Sequence, residues 1–309
     1  MPSKLSKVDY TKYSSPRITR PSTFSLVARD PENGDFGIIV QSKFPAVGAI
    51  VPWAAAEVGA VASQAWANVS YGPRGLDLMS SGKSAQETLK ILIGDDEKAA
   101  HRQLGIVDSK GRAVAHTGDE CMEWAGHVVG NGYICQGNIL AGEDVVNDMA
   151  EAFEGAGGDL IDRLFAALNA GQAAGGDKRG MQSAAILVVR TKGGYEGGND
   201  RYVDVRVDEH PSPIEELERI FGIYDMTLLC REDPSRLLAI EGDLSIKIQS
   251  ALVALGHLDE AFPDEFPQAA SIALMEFMNI NNFENKARDD GTIWQSVLEN
   301  LLQESGLDM

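Results

Sequence analysis

The sequence predicts an antiparallel α+β layered fold followed by a small all-helical domain. Three observations support this fold class. Two hairpin patterns come first, two helical patterns separate them from two further strands, and strand patterns stop beyond Pro213. A chain of 309 residues, 44% hydrophobic and 24% charged, suits an ordinary globular protein with one large and one small domain.

Residues 1–22 precede the first strand, and we expect them to form a flexible leader or a propeptide. They carry five basic residues against the single Asp9, are rich in serine, and lack the apolar centre of a secretion signal. The expected location of the protein is therefore cytoplasmic.

The first hairpin is predicted from two strand patterns, Thr23–Arg29 and Phe36–Lys43, on either side of a turn that contains Pro, Asn and Gly. An antiparallel hairpin brings the start of its first strand beside the end of its second. We therefore expect the Thr23 hydroxyl to lie near Ser42 and Lys43.

The register of this hairpin depends on the length of its loop. A two-residue Asn33-Gly34 turn pairs Thr23 with Phe44, whereas a loop with an odd number of residues pairs Thr23 with Lys43 on one face. We expect the odd loop, because Pro31 cannot donate a ladder hydrogen bond and so favours a longer connection.

The next elements follow from apolar periodicity and from turn residues. Ser84 is expected to cap a helix, because Glu87 lies three residues later, at the spacing of a capping box. The predicted elements are strand and loop at 48–53 and 58–67, helices Gly75–Met79 and Ser84–Ile93, a second hairpin of Gln103–Asp108 and Arg112–Thr117, a short strand Tyr133–Gln136, helices Glu143–Glu154 and Leu160–Ala170, and strands Ser183–Arg190 and Tyr202–Val207.

Beyond Pro213 the pattern changes to amphipathic helices with no strand between them. Such a change marks a separate domain, which we expect to start near residue 226 and to cover 226–309. The predicted helices of this region are Ile214–Tyr224, Leu244–Leu255, Gln268–Phe277 and Ile293–Leu302.

Charge and cysteine content argue against several classes of function. A formal net charge of −19 argues against nucleic acid as a partner, because phosphate contacts need clustered Lys and Arg. No apolar run is long enough for a membrane span. Cys121, Cys135 and Cys230 are odd in number and form no CxxC pair, so neither a disulfide framework nor a metal site is expected. We also expect no cofactor, and a homo-oligomer.

Polar residues at a predicted strand end are candidates for an active site. The Gln-Gly-Asn turn can direct the donors of Gly137 and Asn138 into a cleft, as stabilisation of an oxyanion requires, and Gln64 is a second source of such donors. Asn138 also fits a plain turn residue in a left-handed conformation.

A glycine-rich loop at 173–180 supplies candidates for substrate binding. Asp177, Lys178 and Arg179 lie within it, and Arg can bind a substrate carboxylate with two parallel hydrogen bonds. The spacing of a phosphate-binding loop is absent, and a solvated turn explains the same residues. Arg74, in Tyr-Gly-Pro-Arg-Gly, is a similar candidate.

A series of short motifs runs through residues 23–222. They include Thr23-Phe24-Ser25-Leu26-Val27-Ala28-Arg29-Asp30, Ser42-Lys43-Phe44, Tyr71-Gly72-Pro73-Arg74-Gly75, Gln103-Leu104-Gly105, His116-Thr117-Gly118, Gln136-Gly137-Asn138-Ile139-Leu140 and Gly176-Asp177-Lys178-Arg179-Gly180. In this order they resemble the bacterial family catalogued as domain of unknown function 1028. The resemblance implies a four-layer αββα sandwich of the N-terminal-nucleophile (Ntn) hydrolase type. Within 226–309, the segment Phe283–Arg288 resembles a peptidoglycan-binding module.

The Ntn chemistry assigns roles to the residues at the first hairpin. Thr23 would be the nucleophile, and its own α-amine, with a reference pKa near 8, would be the general base. Lys43 would lower the pKa of that amine and orient the hydroxyl. Because Thr23 follows a leader, its amine becomes free only if the Ser22–Thr23 bond is cleaved.

Three functions remain open from the sequence. The first is an Ntn-type amidohydrolase that cleaves a small amide or peptide substrate. The second is an inactive binding protein whose helical tail binds peptidoglycan or a protein partner. The third is a self-assembling scaffold in which the fold supplies only an interface.

Overall fold

The computed structural model describes residues 23–263 and 265–307, so the predicted leader lies outside the described residues. The chain divides into two compact units, with the boundary between Leu217 and Glu218. The first unit is a mixed α/β fold, and the second is mostly helical. Every strand pair in the described part of the chain is antiparallel.

The first unit alternates between groups of strands and pairs of helices. In chain order its elements are β1 (Thr23–Arg29), β2 (Phe36–Ser42), β3 (Pro52–Ala55), β4 (Gly59–Ala65), α1 (Tyr71–Ser80), α2 (Ala85–Gly94), β5 (Arg102–Asp108), β6 (Ala113–Thr117), β7 (Gly126–Gly130), β8 (Tyr133–Asn138), α3 (Asp144–Gly155), α4 (Leu160–Ala173), β9 (Ser183–Val189) and β10 (Arg201–Val207). The next helix, α5 (Pro213–Leu228), crosses the boundary between the units.

Two antiparallel sheets form the centre of the first unit. The larger has the strand order β10-β9-β2-β1-β8-β7, which makes β1 a central strand, and the smaller has the order β3-β4-β5-β6. The two sheets share one apolar core, in which Val27 and Ile38 of the larger sheet pack with Ala62 and Val107 of the smaller. Burial on both faces explains the continuous runs without polar side chains at 26–28 of β1 and 36–40 of β2.

Helices cover the outer face of each sheet. Leu164 of α4 lies so close to β2 that a Cβ added to Gly37 would be 2.6 Å from its Cδ1. On the other side, Tyr71 of α1 and Leu92 of α2 pack with Leu104 of β5. The layers are therefore helices, the six-stranded sheet, the four-stranded sheet, and helices.

The β1–β2 hairpin differs in register from the prediction. Thr23 lies directly opposite Ser42, so the predicted pairing of Thr23 with Lys43 is wrong. The difference of one position puts Ser42, rather than Lys43, on the same face as Thr23.

The loop of this hairpin explains the difference, because it holds an even number of residues. The Asp30 N–H donates to the Asp35 carbonyl at 2.8 Å, which leaves the four residues Pro31–Gly34 outside the ladder. Gly34 ends the loop at φ 84°, a left-handed conformation that glycine adopts without strain. The loop is longer than the two-residue Asn33-Gly34 turn, as the presence of Pro31 predicts, but by two residues rather than by one.

Local signals elsewhere in the first unit agree with the prediction, with one exception. The capping box of α2 is confirmed, since Ser84 N–H donates to Glu87 Oε2 at 2.8 Å and Glu87 N–H donates to Ser84 Oγ at 3.2 Å. Strand β7 is not predicted by the sequence, because Gly126–Gly130 is short and has glycine at both ends.

The second unit is built around helices and a small two-stranded sheet. Its elements after α5 are β11 (Leu237–Ala239), α6 (Gly242–Ala254), α7 (Gln268–Ile280), β12 (Thr292–Trp294) and α8 (Gln295–Ser305). The expectation of a tail without strands is wrong, because three-residue strands are too short to show alternation in a sequence. Ile248, Leu252, Phe277 and Leu298 are buried in one apolar core, as their helical spacing predicts. No described helix of either unit has the length and apolar character that a bilayer span requires.

Candidate active site

A row of polar side chains crosses the six-stranded sheet where four neighbouring strands begin or end. Asn138 of β8, Thr23 of β1, Ser42 of β2 and Ser183 of β9 lie side by side in the register of the sheet. Residues directly opposite each other in antiparallel strands project from the same face. All four side chains are buried, which is unusual for four polar residues in one row.

A second polar row, in the four-stranded sheet, contacts the first. Gln64 of β4 is paired with Gln103 of β5, which is paired in turn with Thr117 of β6. The amide nitrogen of Gln64 donates to the carbonyl of Thr23 at 3.3 Å, which joins the two rows. The sheets therefore share an apolar core, but they meet through hydrogen bonds at this edge.

Thr23 is held from three sides. Its hydroxyl oxygen lies 3.2 Å from the Ser42 hydroxyl oxygen. Its carbonyl accepts from Gln64 Nε2 and, at 3.5 Å, from Asn138 Nδ2. Both distances to the carbonyl are longer than the usual 2.9–3.0 Å, so these two hydrogen bonds are weak. The structure thus brings together three predicted site residues, Thr23, Gln64 and Asn138.

Gln103 fixes the orientation of the two amides, and the sequence analysis did not select it. Its Oε1 accepts from Gln64 Nε2 at 2.8 Å and from Asn138 Nδ2 at 3.0 Å. Its Nε2 donates to the Gly137 carbonyl at 2.7 Å and to the Gly126 carbonyl at 3.0 Å, so the amide cannot turn over without breaking these bonds. The available signal was a glutamine at the start of the Gln-Leu-Gly motif, directly before the apolar part of β5.

Ser25 and Gln136, which pair with each other two residues further along β1 and β8, support Gln64. The Ser25 hydroxyl donates to Gln64 Oε1 at 2.6 Å, and Gln136 Nε2 donates to Ser25 Oγ at 3.3 Å and to the Ala62 carbonyl at 3.1 Å. Both atoms of the Gln64 amide are therefore engaged, and its nitrogen is directed at Thr23. A buried amide held in this way loses little freedom when a substrate binds.

Lys43 follows Ser42 directly, and its ammonium is turned to another partner. The side-chain nitrogen donates to the Met181 carbonyl at 3.0 Å, and the side chain is exposed. Its backbone N–H donates to the Asp177 carboxylate at 2.7 Å. Lys43 thus marks the end of β2, whereas Ser42 provides the contact with Thr23.

The glycine-rich loop lies beside this strand end. Asp177 is buried, and its carboxylate forms an ion pair with Arg179 at 3.2 Å in addition to its bond with the Lys43 N–H. Lys178 has an exposed side chain, and its N–H donates to the Ile139 carbonyl at 3.0 Å. Asp177 therefore links the loop to the end of β2, next to Ser42.

Arg74 belongs to a different part of the first unit. It lies on α1, where its guanidinium forms an exposed ion pair with Asp95 at 2.8 Å. Neither residue lines the cavity beside Thr23.

A cavity of about 220 Å³ opens beside Thr23. Thr23 and Gln64 contribute polar groups to it, and its other described lining residues carry apolar or aromatic side chains. They come from two segments, 44–51 and 66–69.

A largely buried ion pair holds the second of these segments. Arg102 donates to the Asp96 carboxylate at 2.9 Å and to the carbonyl of Trp66, and Asn68 Nδ2 donates to the same carboxylate at 3.1 Å. Burial alone would raise the pKa of Asp96, but the hydrogen bonds from Arg102, the Lys98 N–H, Tyr71 and Asn68 hold that pKa well below its usual range. The Asp96 carboxylate is therefore charged at neutral pH, and its hydrogen bond from Asn68 helps to hold the segment 66–69.

Both units match models of known protein families. The model of a "Family of unknown function (DUF1028)" matches residues 23–217, and that of a "Putative peptidoglycan binding domain" matches residues 227–301. A crystal structure of protein SPO2555 from Silicibacter pomeroyi, described as DUF1028, is 30% identical with a TM-score of 0.60, and the match covers 72% of this chain and 92% of that one. No curated protein matches the chain significantly.

Proposed function

The chain belongs to the DUF1028 family, and we propose that it is an Ntn-type amidohydrolase that cleaves a small amide or peptide bond. One observation carries the proposal: the Thr23 hydroxyl, at the start of a central strand, lies 3.2 Å from Ser42 Oγ, and two side-chain amides are directed at its carbonyl. The order of layers supports the assignment of residues 23–222 to the four-layer αββα type.

The reaction begins with a free α-amine on Thr23, which requires cleavage of the Ser22–Thr23 bond. With a reference pKa near 8, a fraction of this amine is neutral at pH 7 to 8 and acts as a base. It takes the proton of Thr23 Oγ while the oxygen attacks the carbonyl carbon of the amide. The carbonyl electrons move onto the oxygen and produce a tetrahedral oxyanion.

Gln64 and Asn138 are the proposed donors to this oxyanion. Each amide has two N–H groups, and Gln103 accepts one from each. The contacts of both amides with the Thr23 carbonyl are long, at 3.3 and 3.5 Å, and so is the contact of Gln64 Nε2 with the Gln136 carbonyl at 3.4 Å, so directing an N–H at a nearby oxyanion costs little. Gln103 is a positioning residue in this scheme.

The remaining steps return the enzyme to its starting state. The ammonium of Thr23 gives its proton to the leaving nitrogen as the C–N bond breaks, which leaves an ester on Thr23 Oγ. The amine then takes a proton from water as the water oxygen attacks the ester carbon. When the ester C–O bond breaks, that proton passes to Thr23 Oγ, and the acid leaves.

The other predicted residues receive supporting roles. Asp177 holds the end of β2 through the Lys43 N–H, and Arg179 neutralises its carboxylate. Lys178 is the cation of this loop that we assign to a polar part of the substrate. We assign no contact with the substrate to Arg74, because Asp95 pairs with its guanidinium.

The test uses a chain that begins at Thr23, prepared by expression with Met in front of it and verified by mass spectrometry. A β-lactone probe, which acylates nucleophilic hydroxyls, should add its mass to Thr23 of this form. Thr23→Ser should still be labelled, while Thr23→Ala and the chain that retains residues 1–22 should not. Equal labelling of the full-length chain at Thr23 would refute the mechanism.

A second function is favoured for the tail by its match to the peptidoglycan-binding model. We propose that residues 226–309 bind peptidoglycan. The unit carries a polar cavity of about 340 Å³ with Arg231, Arg236, Glu232 and Trp294 in its lining. Aromatic and charged groups of both signs suit a polymer that carries sugars, carboxylates and amines.

A further inference from the structure

The cavity beside Thr23 has a composition that selects among amide substrates. Thr23 and Gln64 belong to the proposed reaction centre, and the remaining described lining residues include Phe44, Val47 and Trp66, with Ile50, Val51, Ala67 and Val69. No charged residue is found in the described lining, although the chain as a whole carries a net charge of −19. A charged substrate group would lose its hydration here without gaining a partner.

The first wall of the cavity, which is the segment 44–51, is fixed by hydrogen bonds. The Ser183 hydroxyl donates to the Phe44 carbonyl, and its oxygen accepts from the Val47 N–H at 3.1 Å. The Ser63 N–H donates to the Val51 carbonyl at 3.2 Å, which ties the end of this wall to β4. Ser183 belongs to the polar row of Thr23, so one row of residues positions both the nucleophile and the wall.

The second wall, which is the segment 66–69, is held by hydrogen bonds to Ser63, Asp96 and Arg102. The Ser63 hydroxyl donates to the Asn68 carbonyl at 3.0 Å, and Asp96 accepts from the Asn68 amide at 3.1 Å. Arg102 binds the carbonyl of Trp66. A cavity whose two walls are held by hydrogen bonds exists before the ligand arrives, so binding requires little ordering.

The volume limits the size of the occupant. A cavity of about 150 Å³ lined by apolar side chains holds one benzene molecule, as the engineered example in lysozyme illustrates. At about 220 Å³ the present cavity has room for a phenyl ring with one or two further carbons, or for an aliphatic chain of comparable volume.

We propose that this cavity binds an uncharged, apolar acyl group of the amide that Thr23 attacks, of about six to eight carbons. The inference rests on the proposed function of Thr23, and it adds the substrate class. The acyl side is the better occupant, because the acyl group stays bonded to Thr23 Oγ while the amine departs. A group held between two fixed walls suits the part of the substrate that remains.

The test is a series of p-nitroanilides that differ only in the acyl group, from acetyl to decanoyl, with phenylacetyl and the charged glutaryl included. With the form that begins at Thr23, kcat/KM should rise about three- to fourfold per methylene until the cavity is full and then fall. Glutaryl should be at least about a hundredfold poorer than hexanoyl. Equal rates for acetyl, glutaryl and hexanoyl would overturn the proposal while leaving Thr23 as the nucleophile. Absence of both turnover and labelling of Thr23 would overturn the two together.

A substitution in the wall provides an independent test. Ala67→Leu places three extra carbons in the cavity and should move the optimum to a shorter acyl group, whereas Ala49→Leu, an exposed position outside the lining, should leave the optimum unchanged. Should Ala67→Leu fail to fold, a thermal-shift titration of Thr23→Ala replaces it. Hexanamide should raise Tm and succinamate should not, and equal shifts would contradict the proposal.

Discussion

Thr23 and Ser42 face each other across the β1–β2 pair, with their hydroxyl oxygens 3.2 Å apart. Both side chains are buried, at 1% and 0% exposure respectively. Within this pair one hydroxyl donates and the other accepts, so Ser42 influences where the Thr23 hydroxyl hydrogen points. In the proposed reaction, the hydroxyl hydrogen of Thr23 must point towards the α-amine. The hydrogen bond from Ser42 holds Thr23 Oγ in place while the amine takes this proton.

The first prediction concerns this contact. Ser42→Ala should lower kcat by about ten- to a hundredfold, because it removes a group that positions the nucleophile, and should cost about 1 kcal/mol of stability. Steady-state kinetics and thermal unfolding measure the two effects. Ser80→Ala, which removes an exposed hydroxyl on α1, is the matched control. An unchanged kcat in a folded Ser42→Ala variant would remove Ser42 from the mechanism.

The second prediction concerns Lys43. Its exposed ammonium donates to the Met181 carbonyl, and exposed charges contribute little through solvent. Lys43→Met should therefore reduce kcat by less than about tenfold, since loss of a directly positioned catalytic group costs a hundredfold or more. Lys90→Met, which removes an exposed charge on α2 away from the site, separates a general charge effect from a specific one. A loss above a hundredfold for Lys43→Met alone would return Lys43 to the catalytic group.

Features that depend on neighbours in the chain were predictable from the sequence, and contacts between distant residues were not. The strand pattern of Thr23–Arg29 and the capping box of Ser84 depend on neighbours in the chain, and both are found in the structure. The partner of Thr23 depended on the parity of a loop, and the periodicity of two strands carries no information about the conformation between them. A difference of one residue exchanged Lys43 for Ser42.

The site residues divide in the same way. Asn138 was selected because a Gln-Gly-Asn turn has its own local signature, and the structure brings it to Thr23. Gln103 contacts Gln64 through the register of β4 with β5, and it contacts Asn138 because the two sheets pack face to face. That contact joins residues from three strands, and apolar periodicity predicts strands but not which side chains meet across a core.

The third prediction tests Gln103 as a positioning residue. Gln103→Met keeps the volume but removes the acceptor that Gln103 provides to Gln64 and Asn138, at about 1–3 kcal/mol for each buried amide. Gln103→Glu, kept protonated by burial, retains an acceptor for both amides and one O–H donor for the Gly137 carbonyl, and it should retain more activity. We expect Gln103→Met to lower kcat more than it raises KM, because the ground-state cavity is left intact. If each variant changes kcat and KM by the same factor, or changes neither constant, Gln103 has a purely structural role.

The fourth prediction concerns pH. Burial would raise the pKa of Asp96, but its hydrogen bonds from Arg102, Lys98 and Tyr71 lower it in the folded state. A carboxylate with a depressed folded pKa contributes stability that is present above its unfolded value of about 4 and is lost as the pH falls through the folded value. Between about pH 4 and pH 2, the free energy of unfolding should fall less steeply for Asp96→Asn than for the wild type.

Urea unfolding at several pH values measures this difference, and Asp77→Asn, an exposed aspartate on α1, is the control. Because Asp96 accepts from Asn68 beside the cavity, Asp96→Asn should also weaken hexanamide binding at pH 7. Parallel pH profiles for the wild type and Asp96→Asn would contradict the assignment of this group.

The fifth prediction concerns the tail. The full chain should sediment with purified peptidoglycan sacculi, because the second unit carries a polar cavity of about 340 Å³ in which Arg236 and Trp294 lie near acidic side chains. Arg236 can bind a carboxylate of the stem peptide through two hydrogen bonds, and Trp294 is the aromatic side chain of the cavity lining. Arg236→Ala and Trp294→Ala should each reduce the bound fraction severalfold, with a larger effect of salt on the wild type than on Arg236→Ala.

Ile272→Ala, an exposed change on α7, should bind as the wild type does, and chitin should not retain the protein. If the wild type stays in the supernatant with sacculi at low salt, the cavity has no role in cell-wall binding, and the apolar core around Phe277 is then explained by packing of the unit alone.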